Sequence, residues 1–236
     1  MAYAATADVD RFEEAIAWFS ARFPLTAEIL ETLGVYAGER AWTIAAVTQL
    51  EAVLSAHAII TNAIERGTVL REVVEQLGDA LSEYRFGRAR LETIVLTNTQ
   101  SAYNAGRYRQ LSDPDLIALR PYRQVDGIGD ERQTEYCRAV NGLTLPATDP
   151  WWETHWFPAH HRCRTTVRSI RQREYDRVPE ERRQIPIGVG PAEGFGLAPD
   201  VGAAWQPDPT RYPPALWTSF EQHRSAHVTD LLREEA

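Results

Sequence analysis

The chain has 236 residues, enough for one large domain or two small ones with a sizeable core. All 25 of its cationic side chains are arginine, which excludes both Schiff-base chemistry on a lysine and the phosphate-binding lysine of nucleotide-binding loops. The net charge of −8 argues against DNA binding by the chain as a whole, although residues 87–183, with 16 arginines and 13 acidic residues, could present a local basic face.

Residues 1–86 are predicted to form a helical N-terminal region. The first residues lack the basic and then apolar pattern of a signal peptide, and no apolar run is long enough to span a membrane, so no membrane partner is expected. The stripe Phe12, Ala15, Ile16 and Phe19 predicts a first amphipathic helix, which Phe23-Pro24 would end. Further helices are expected over residues 27–34, 41–65 and 69–84, with Thr26 and Thr68 as N-caps and His57 in the core.

Residues 87–183 are predicted to form a small mixed α+β module, and residues 184–236 an extended tail rich in proline and glycine. The expected strands cover residues 122–127, 142–146 and 165–170. The expected helices cover residues 88–110, 131–140 and 171–178. The tail should wrap a domain surface or dock on a partner, with a possible terminal helix from about Ala215. The predicted fold class is therefore α+β, with a helical N-terminal portion ahead of the small module.

Both cysteines and three of the histidines lie between residues 137 and 163. A tetrahedral zinc ion needs four N, S or O donors, which His160, Cys163 and the more distant Cys137 could supply, with His155 or Asp149 as the fourth. The same residues permit two other interpretations. The cysteines could form a disulfide, or they could only pack while the histidines hydrogen-bond the loop.

Other side chains in this segment permit an enzymatic interpretation. Cys163 lies next to two histidines and between two arginines, which could lower its pKa and activate it as a nucleophile. Asp126, Asp130 and Glu131 could bind a divalent cation or act as acids and bases, but an aspartate placed like Asp130 more commonly caps the next helix. The aromatic group within residues 151–157 could stack on bases, although anchoring of a loop core is the more common role.

Short motifs occur in a fixed order along the module. They are Thr97-Asn98, Ala102-Tyr103-Asn104-Ala105-Gly106-Arg107, Asp130-Glu131-Arg132, Cys137-x-x-x-Asn141-Gly142, Asp149-Pro150-Trp151-Trp152 and Pro158-x-His160-x-x-Cys163-Arg164. In this order they resemble the motifs of the phage Mu F-like minor head proteins, the phage head-morphogenesis family. The resemblance covers about residues 85–215. Many members carry a second cysteine where this chain has Thr165, which weakens the case for a metal site.

The resemblance implies a low-copy minor capsid protein of a tailed phage or prophage, without catalytic residues and without a cofactor other than the possible zinc. Its expected partners are the portal and the major capsid protein, with possible contact to packaged DNA during packaging and ejection. The protein would be found in the virion head, assembled in the host bacterial cytoplasm. The alternative, from the residues themselves, is a metal-dependent nuclease or toxin-like enzyme that uses the Cys/His/Asp cluster.

Overall fold

The computed structural model describes residues 12–28 and 41–200, with residues 214 and 218. The α-helices are α1 (Glu13–Ser20), α2 (Leu50–Arg66), α3 (Leu70–Ala80), α4 (Arg88–Leu111), α5 (Pro114–Leu119), α6 (Glu135–Ala139), α7 (Trp151–Thr154) and α8 (Gln172–Tyr175). The strands are β1 (Phe23–Pro24), β2 (Ala41–Trp42), β3 (Tyr122–Asp126), β4 (Thr144–Pro146) and β5 (Thr166–Ile170). The protein is α+β, as the sequence predicts.

Some of the predicted helices are described only in part. Apart from residue 218, the helix predicted from about Ala215 lies outside the described residues, as does most of the helix predicted over residues 27–34. The helix predicted over residues 171–178 is confirmed only as the single turn of α8. Among the helices that the structure describes, none combines the length and the hydrophobicity that a membrane span requires.

Helices α1 to α4 enclose a first hydrophobic core. The predicted stripe of α1 is confirmed, because Ala15, Ile16 and Phe19 are buried and Phe12 packs against the same core. His57 of α2 is buried there too, with its Nε2 atom 3.0 Å from the carbonyl oxygen of Phe19 and its ring stacked on the Phe19 ring. The histidine therefore links α2 to α1 inside the core, as predicted.

The helix predicted over residues 41–65 is wrong at its start, because α2 begins only at Leu50. The first residues of this stretch form β2, which pairs in parallel with β1. The indole N–H of Trp42 donates to the side-chain oxygen of Asn98 in α4 at 2.7 Å. Ala46 has a φ of +67°, which a right-handed helix does not contain. Partners distant in sequence therefore keep this apolar stretch out of a helix.

The ends of α2 are set by one distant side chain and one glycine. The hydroxyl oxygen of Tyr84 accepts from the backbone N–H groups of Thr48 and Gln49, at 3.3 and 3.0 Å, just ahead of the helix. Gly67 ends α2 with a φ of +63°, as the glycine in the sequence predicts. The predicted Thr68 cap is wrong, because Val69 precedes α3 and no side chain caps that helix.

A three-stranded antiparallel sheet, in the order β4-β3-β5, frames the second part of the fold. Tyr122 of β3 lies opposite Pro146 of β4 and Ile170 of β5. The three strands lie within their predicted ranges. The second hydrophobic core includes Leu143, Trp152, Trp156, Phe157 and Val167.

The described part of the tail, residues 184–200, contains no helix or strand and wraps over this second core. The backbone N–H of Trp156 donates to the carbonyl oxygen of Gly196 at 2.6 Å. The N–H groups of Ala192 and Ala198 donate to backbone carbonyls on either side of Trp156, each at 2.9 Å. The prediction that the tail wraps a domain surface is confirmed for this segment.

Helix α4 contributes apolar side chains to both cores, and between them one residue without a side chain and one polar residue make close contacts with other segments. Gly106 faces α1 so closely that a Cβ at this position would lie 2.8 Å from the backbone nitrogen of Ala15. Asn104, which is 1% exposed, donates its side-chain N–H to the carbonyl oxygen of Thr165 at 3.2 Å. Helix α4 therefore links the helical part of the fold to the segment that enters β5.

We expect the substitution Gly106→Ala to lower the free energy of unfolding by about 1–2 kcal/mol. Overpacking against a backbone atom costs about 1–3 kcal/mol, and the better helix propensity of alanine returns only about 1 kcal/mol. Urea denaturation followed by circular dichroism measures the change. Gly78→Ala is the matched control, since its Cβ would meet only the flexible end of Leu91, at 3.3 Å. An equal change in both variants would contradict the close approach at Gly106.

We expect Asn104→Ala to destabilise the protein by about 1–3 kcal/mol, because the buried carbonyl of Thr165 would lose its donor without access to water. Ser101→Ala on the same helix is the control. The Ser101 hydroxyl bonds only to the Thr97 carbonyl one turn earlier, so its loss should change stability by less than about 0.5 kcal/mol. Equal urea midpoints for wild type and Asn104→Ala would show that this hydrogen bond does not hold the segment.

Candidate metal centre

Two cysteines and one histidine bring their donor atoms together beside the second core. Cys137 lies on α6, while His160 and Cys163 lie in the loop between α7 and β5. The Sγ atom of Cys137 lies 3.3 Å from Nε2 of His160 and 3.7 Å from Sγ of Cys163, and the three atoms lie within 4.8 Å of one another. Both cysteines are free thiols, each 1% exposed, and His160 is half-buried.

The orientation of the His160 ring is fixed by a backbone carbonyl. Its Nδ1 atom lies 2.8 Å from the carbonyl oxygen of His161. A carbonyl only accepts hydrogen bonds, so Nδ1 carries the proton and donates. The lone pair of the neutral ring is therefore on Nε2, the nitrogen that faces Cys137.

The two thiols share one hydrogen bond, which separates their pKa values. This hydrogen bond lowers the pKa of Cys163 and raises that of Cys137. Burial opposes ionisation of Cys163, whereas hydrogen bonds with the backbone of Ala159 and Thr165 favour it. Cys163 is therefore the better anion of the pair.

The expected fourth donor is not part of this group. His155 directs Nδ1 at the carbonyl oxygen of Trp151, 3.2 Å away, and stacks its ring on the Trp151 ring. Asp149 accepts from the backbone N–H of Trp151 at 2.9 Å. Among the described residues, only Cys137, His160 and Cys163 form a cluster of three or more such donors. The structure therefore places both fourth donors considered in the sequence, His155 and Asp149, outside this group.

Near α6, the carboxylate of Asp130 forms an ion pair, which is not one of the roles that the sequence suggested for it. Both carboxylate oxygens of Asp130 bind the guanidinium of Arg164, at 2.6 and 2.7 Å, and this contact holds the pKa of Asp130 below its usual range. Asp130 also accepts from the backbone N–H of Arg132 at 3.1 Å. It does not cap the next helix. Thr134 does so, by accepting from the N–H of Cys137 at 3.3 Å.

The cap also explains why α6 begins at Glu135 rather than at the predicted position 131. Residues 131–134 form a turn that the Asp130 carboxylate stabilises. Thr134 was missed as a site-positioning residue, although its place ahead of Glu135-Tyr136-Cys137 has the pattern of an N-cap. The hydroxyl of Thr134 accepts from the backbone amide of Cys137 and so fixes the position of this candidate metal donor.

The aromatic side chains near the cluster are internal. Trp151, Trp152, Trp156 and Phe157 are at most 7% exposed. The indole N–H of Trp156 donates to the carbonyl oxygen of Asn104 at 3.1 Å. Anchoring of the loop core is therefore confirmed as their role, and stacking on nucleic-acid bases is excluded for these four rings.

The remaining motif residues hold backbone segments around the cluster. Arg107 of α4 donates from Nε to the carbonyl oxygen of Val167 at 3.2 Å. The side-chain oxygen of Asn141 accepts from the N–H of Gly127 at 2.9 Å. Gly142, with a φ of +79°, donates its N–H to the carbonyl oxygen of Val125 at 3.0 Å. Each of these bonds joins segments that are distant in sequence.

The loop that carries His160 and Cys163 contains a cis peptide bond, a residue with positive φ and a hydrogen bond to α4. Pro158 follows a cis peptide bond with Phe157. Arg162 has a φ of +57°, and its N–H donates to the hydroxyl oxygen of Thr97 in α4 at 3.0 Å. Residues of these motifs therefore shape the loop.

Comparison with known proteins confirms the family resemblance that the order of the motifs indicates. The family model described as "Phage Mu protein F like protein" matches residues 31–168. The putative capsid assembly protein F of Escherichia phage Mu is 28% identical over 178 residues, which are 67% of this chain and 40% of that protein. The Mu-like prophage FluMu F protein of Haemophilus influenzae is 30% identical over 146 residues, 56% of this chain and 35% of that protein.

This chain thus spans less than half the length of the curated relatives it matches. No solved structure matches it significantly. The matched segment contains α4, the Cys/His cluster and most of the sheet. Since the family model covers more than half of the chain, the chain belongs to the Phage Mu F-like protein family.

Proposed function

We propose that this chain acts in phage head morphogenesis as a low-copy minor head protein that binds the portal or the inner capsid wall. The family match over residues 31–168 carries the proposal. The name of its relative in phage Mu, a putative capsid assembly protein, supports a role in head assembly. The protein would be part of the virion head, and its assembly would take place in the host bacterial cytoplasm.

A second contact, with packaged DNA, is proposed for the cleft between the sheet and the segment after α8. The cleft has a volume of about 340 Å³, and its lining includes Arg168, Arg177 and Arg182, with Glu174 as the one acidic residue of the lining. The side-chain oxygen of Gln124 holds the guanidinium of Arg168 at 3.0 Å. Arginines placed in this way suit the phosphate backbone, with no dependence on base sequence.

For the assembly role, we expect quantitative mass spectrometry of purified particles to detect the chain at a few copies for each portal ring. Co-expression with a tagged portal protein should retain the chain on the affinity resin, whereas a tagged tail protein of the same phage should not. A chain that is absent from particles and whose gene is dispensable for their formation would overturn the proposal.

For the DNA contact, we expect the double variant Arg177→Gln/Arg182→Gln to weaken binding to duplex DNA at low salt. Each lost phosphate contact should reduce the slope of log affinity against log salt by about 0.9. Arg71→Gln is the control, because Arg71 lies on α3 and pairs with Glu75 on the helix surface. Wild-type affinity and slope in the double variant would exclude this cleft as the DNA contact.

A further inference from the structure

We propose that Cys137, His160 and Cys163 bind one Zn²⁺ ion through their two sulfur atoms and Nε2, with a water molecule as the fourth ligand. The site would connect α6 to the loop ahead of β5. It is independent of the partner that the chain binds in a phage head. The proposal rests on the geometry of the three donors, on the fixed orientation of His160 and on the contacts that hold the loop.

Two of the three distances between the donors are close to the edges of a zinc tetrahedron, and the third is at most 4.8 Å. Zinc binds sulfur at about 2.3 Å and histidine nitrogen at about 2.0–2.1 Å, so two tetrahedral sulfurs are about 3.8 Å apart and a sulfur and a nitrogen about 3.6 Å. The observed separations are 3.7 Å between the sulfurs and 3.3 Å between Cys137 Sγ and His160 Nε2. Small shifts would therefore admit the ion, whereas a disulfide requires the two sulfurs to approach to about 2.05 Å.

The histidine already has the arrangement that metal-binding histidines adopt. A ligand imidazole usually donates its other ring N–H to a carbonyl or carboxylate, which fixes the tautomer and the plane of the ring. His160 donates from Nδ1 to the His161 carbonyl in this way, and Nε2 faces the sulfur of Cys137. The neighbouring His155 has its Nδ1 at the carbonyl of Trp151 and lies outside the group.

Contacts from outside the cluster hold the three donors together before any ion binds. Thr134 accepts from the backbone of Cys137, and Asn104 donates to the backbone just after Cys163. The Asp130–Arg164 ion pair joins the turn before α6 to the residue that follows Cys163. A donor set ordered in this way loses less entropy when it binds a ligand.

The donor chemistry selects the ion. Thiolate and imidazole ligands favour zinc over the hard cations Ca²⁺ and Mg²⁺, which bind oxygen. Within the part of the chain that the structure describes, no carboxylate joins the three donors. Binding would displace the two thiol protons to solvent, and the two thiolates would then balance the charge of the ion. His160 is half-buried, so solvent reaches this side of the cluster and a water molecule can complete the coordination.

The test uses the full chain, purified without chelators from cells grown with zinc. We expect elemental analysis to find about one zinc ion for each chain. His160→Ala and Cys163→Ser should reduce the zinc content about tenfold or more, while the controls His155→Ala and His161→Ala should retain it. Loss of zinc in His155→Ala but not in His160→Ala would overturn the assigned ligand set.

A measurement on the wild-type chain removes the dependence on variants that might not fold. The metal-free, reduced protein is titrated with Co²⁺, and we expect a thiolate-to-cobalt charge-transfer band that saturates at about one equivalent. Zinc should then abolish the band by competition. Purified protein without zinc that also gives no cobalt band would overturn the proposal. An intact mass showing loss of two hydrogens, with no metal, would instead assign the pair as a disulfide.

Discussion

The close approach of α4 to α1 at Gly106, and to the loop ahead of β5 at Asn104, is the constraint on which the rest of the fold depends. The first hydrophobic core reaches along α4 as far as Ala102, and the second begins at Leu111. Between these two residues, Ala105 is buried and Tyr108 packs against the second core. In the same stretch Gly106, which has no Cβ, allows the close approach of α1, and the side-chain amide of Asn104 bonds the segment ahead of β5. Two cores can share one helix because this short stretch fits both neighbours.

The same stretch determines where the Cys/His cluster lies. Three side chains of α4 each form a hydrogen bond with the backbone between residues 162 and 167; they belong to Thr97, Asn104 and Arg107. These bonds fix Cys163 beside α6 without any contribution from the thiols. The buried rings of Trp152, Trp156 and Phe157 then supply the larger energy, since full burial of each is worth roughly 1.5–3 kcal/mol or more. A metal ion would therefore reinforce a loop whose shape is already determined, unlike the ion of a zinc finger, which is required for folding.

The hydrophobic pattern of the sequence was sufficient to predict the helices and strands whose conformation depends on residues nearby in the chain. The spacing of Ala15, Ile16 and Phe19 predicts α1, and the short apolar runs that follow Pro114 predict the three strands of the sheet. The prediction for the residues before α2 was wrong because their composition suits a helix equally well. Residues distant in sequence decide their conformation, among them Asn98 and Tyr84, which bond Trp42 and the amides ahead of Leu50. Hydrogen bonds across such separations are not visible in a window of sequence.

At the candidate site too, the sequence predicted which types of residue are involved but not which of them contact one another. The sequence predicted the cluster of Cys137, His160 and Cys163, because donors of these types are seldom placed so close together. It also offered His155 or Asp149 as a fourth donor, since it does not show that Nδ1 of His155 lies at the Trp151 carbonyl and Nδ1 of His160 at the His161 carbonyl. Asp130 was assigned to a helix cap for a similar reason. Its partner Arg164 lies far along the chain, and a bidentate ion pair holds the carboxylate away from the helix.

The surroundings of the cluster argue against catalysis by the two thiols and by Asp130. A thiolate that attacks a substrate must be accessible to it, and both sulfur-bearing residues here are 1% exposed. An acid or base must be free to exchange a proton in the site, yet Asp130 is bound to Arg164. Asn104, Arg107 and Asn141, three of the motif residues around these groups, bond to backbone atoms of distant segments. Such contacts maintain the shape of the module, as the role proposed here in head assembly would require.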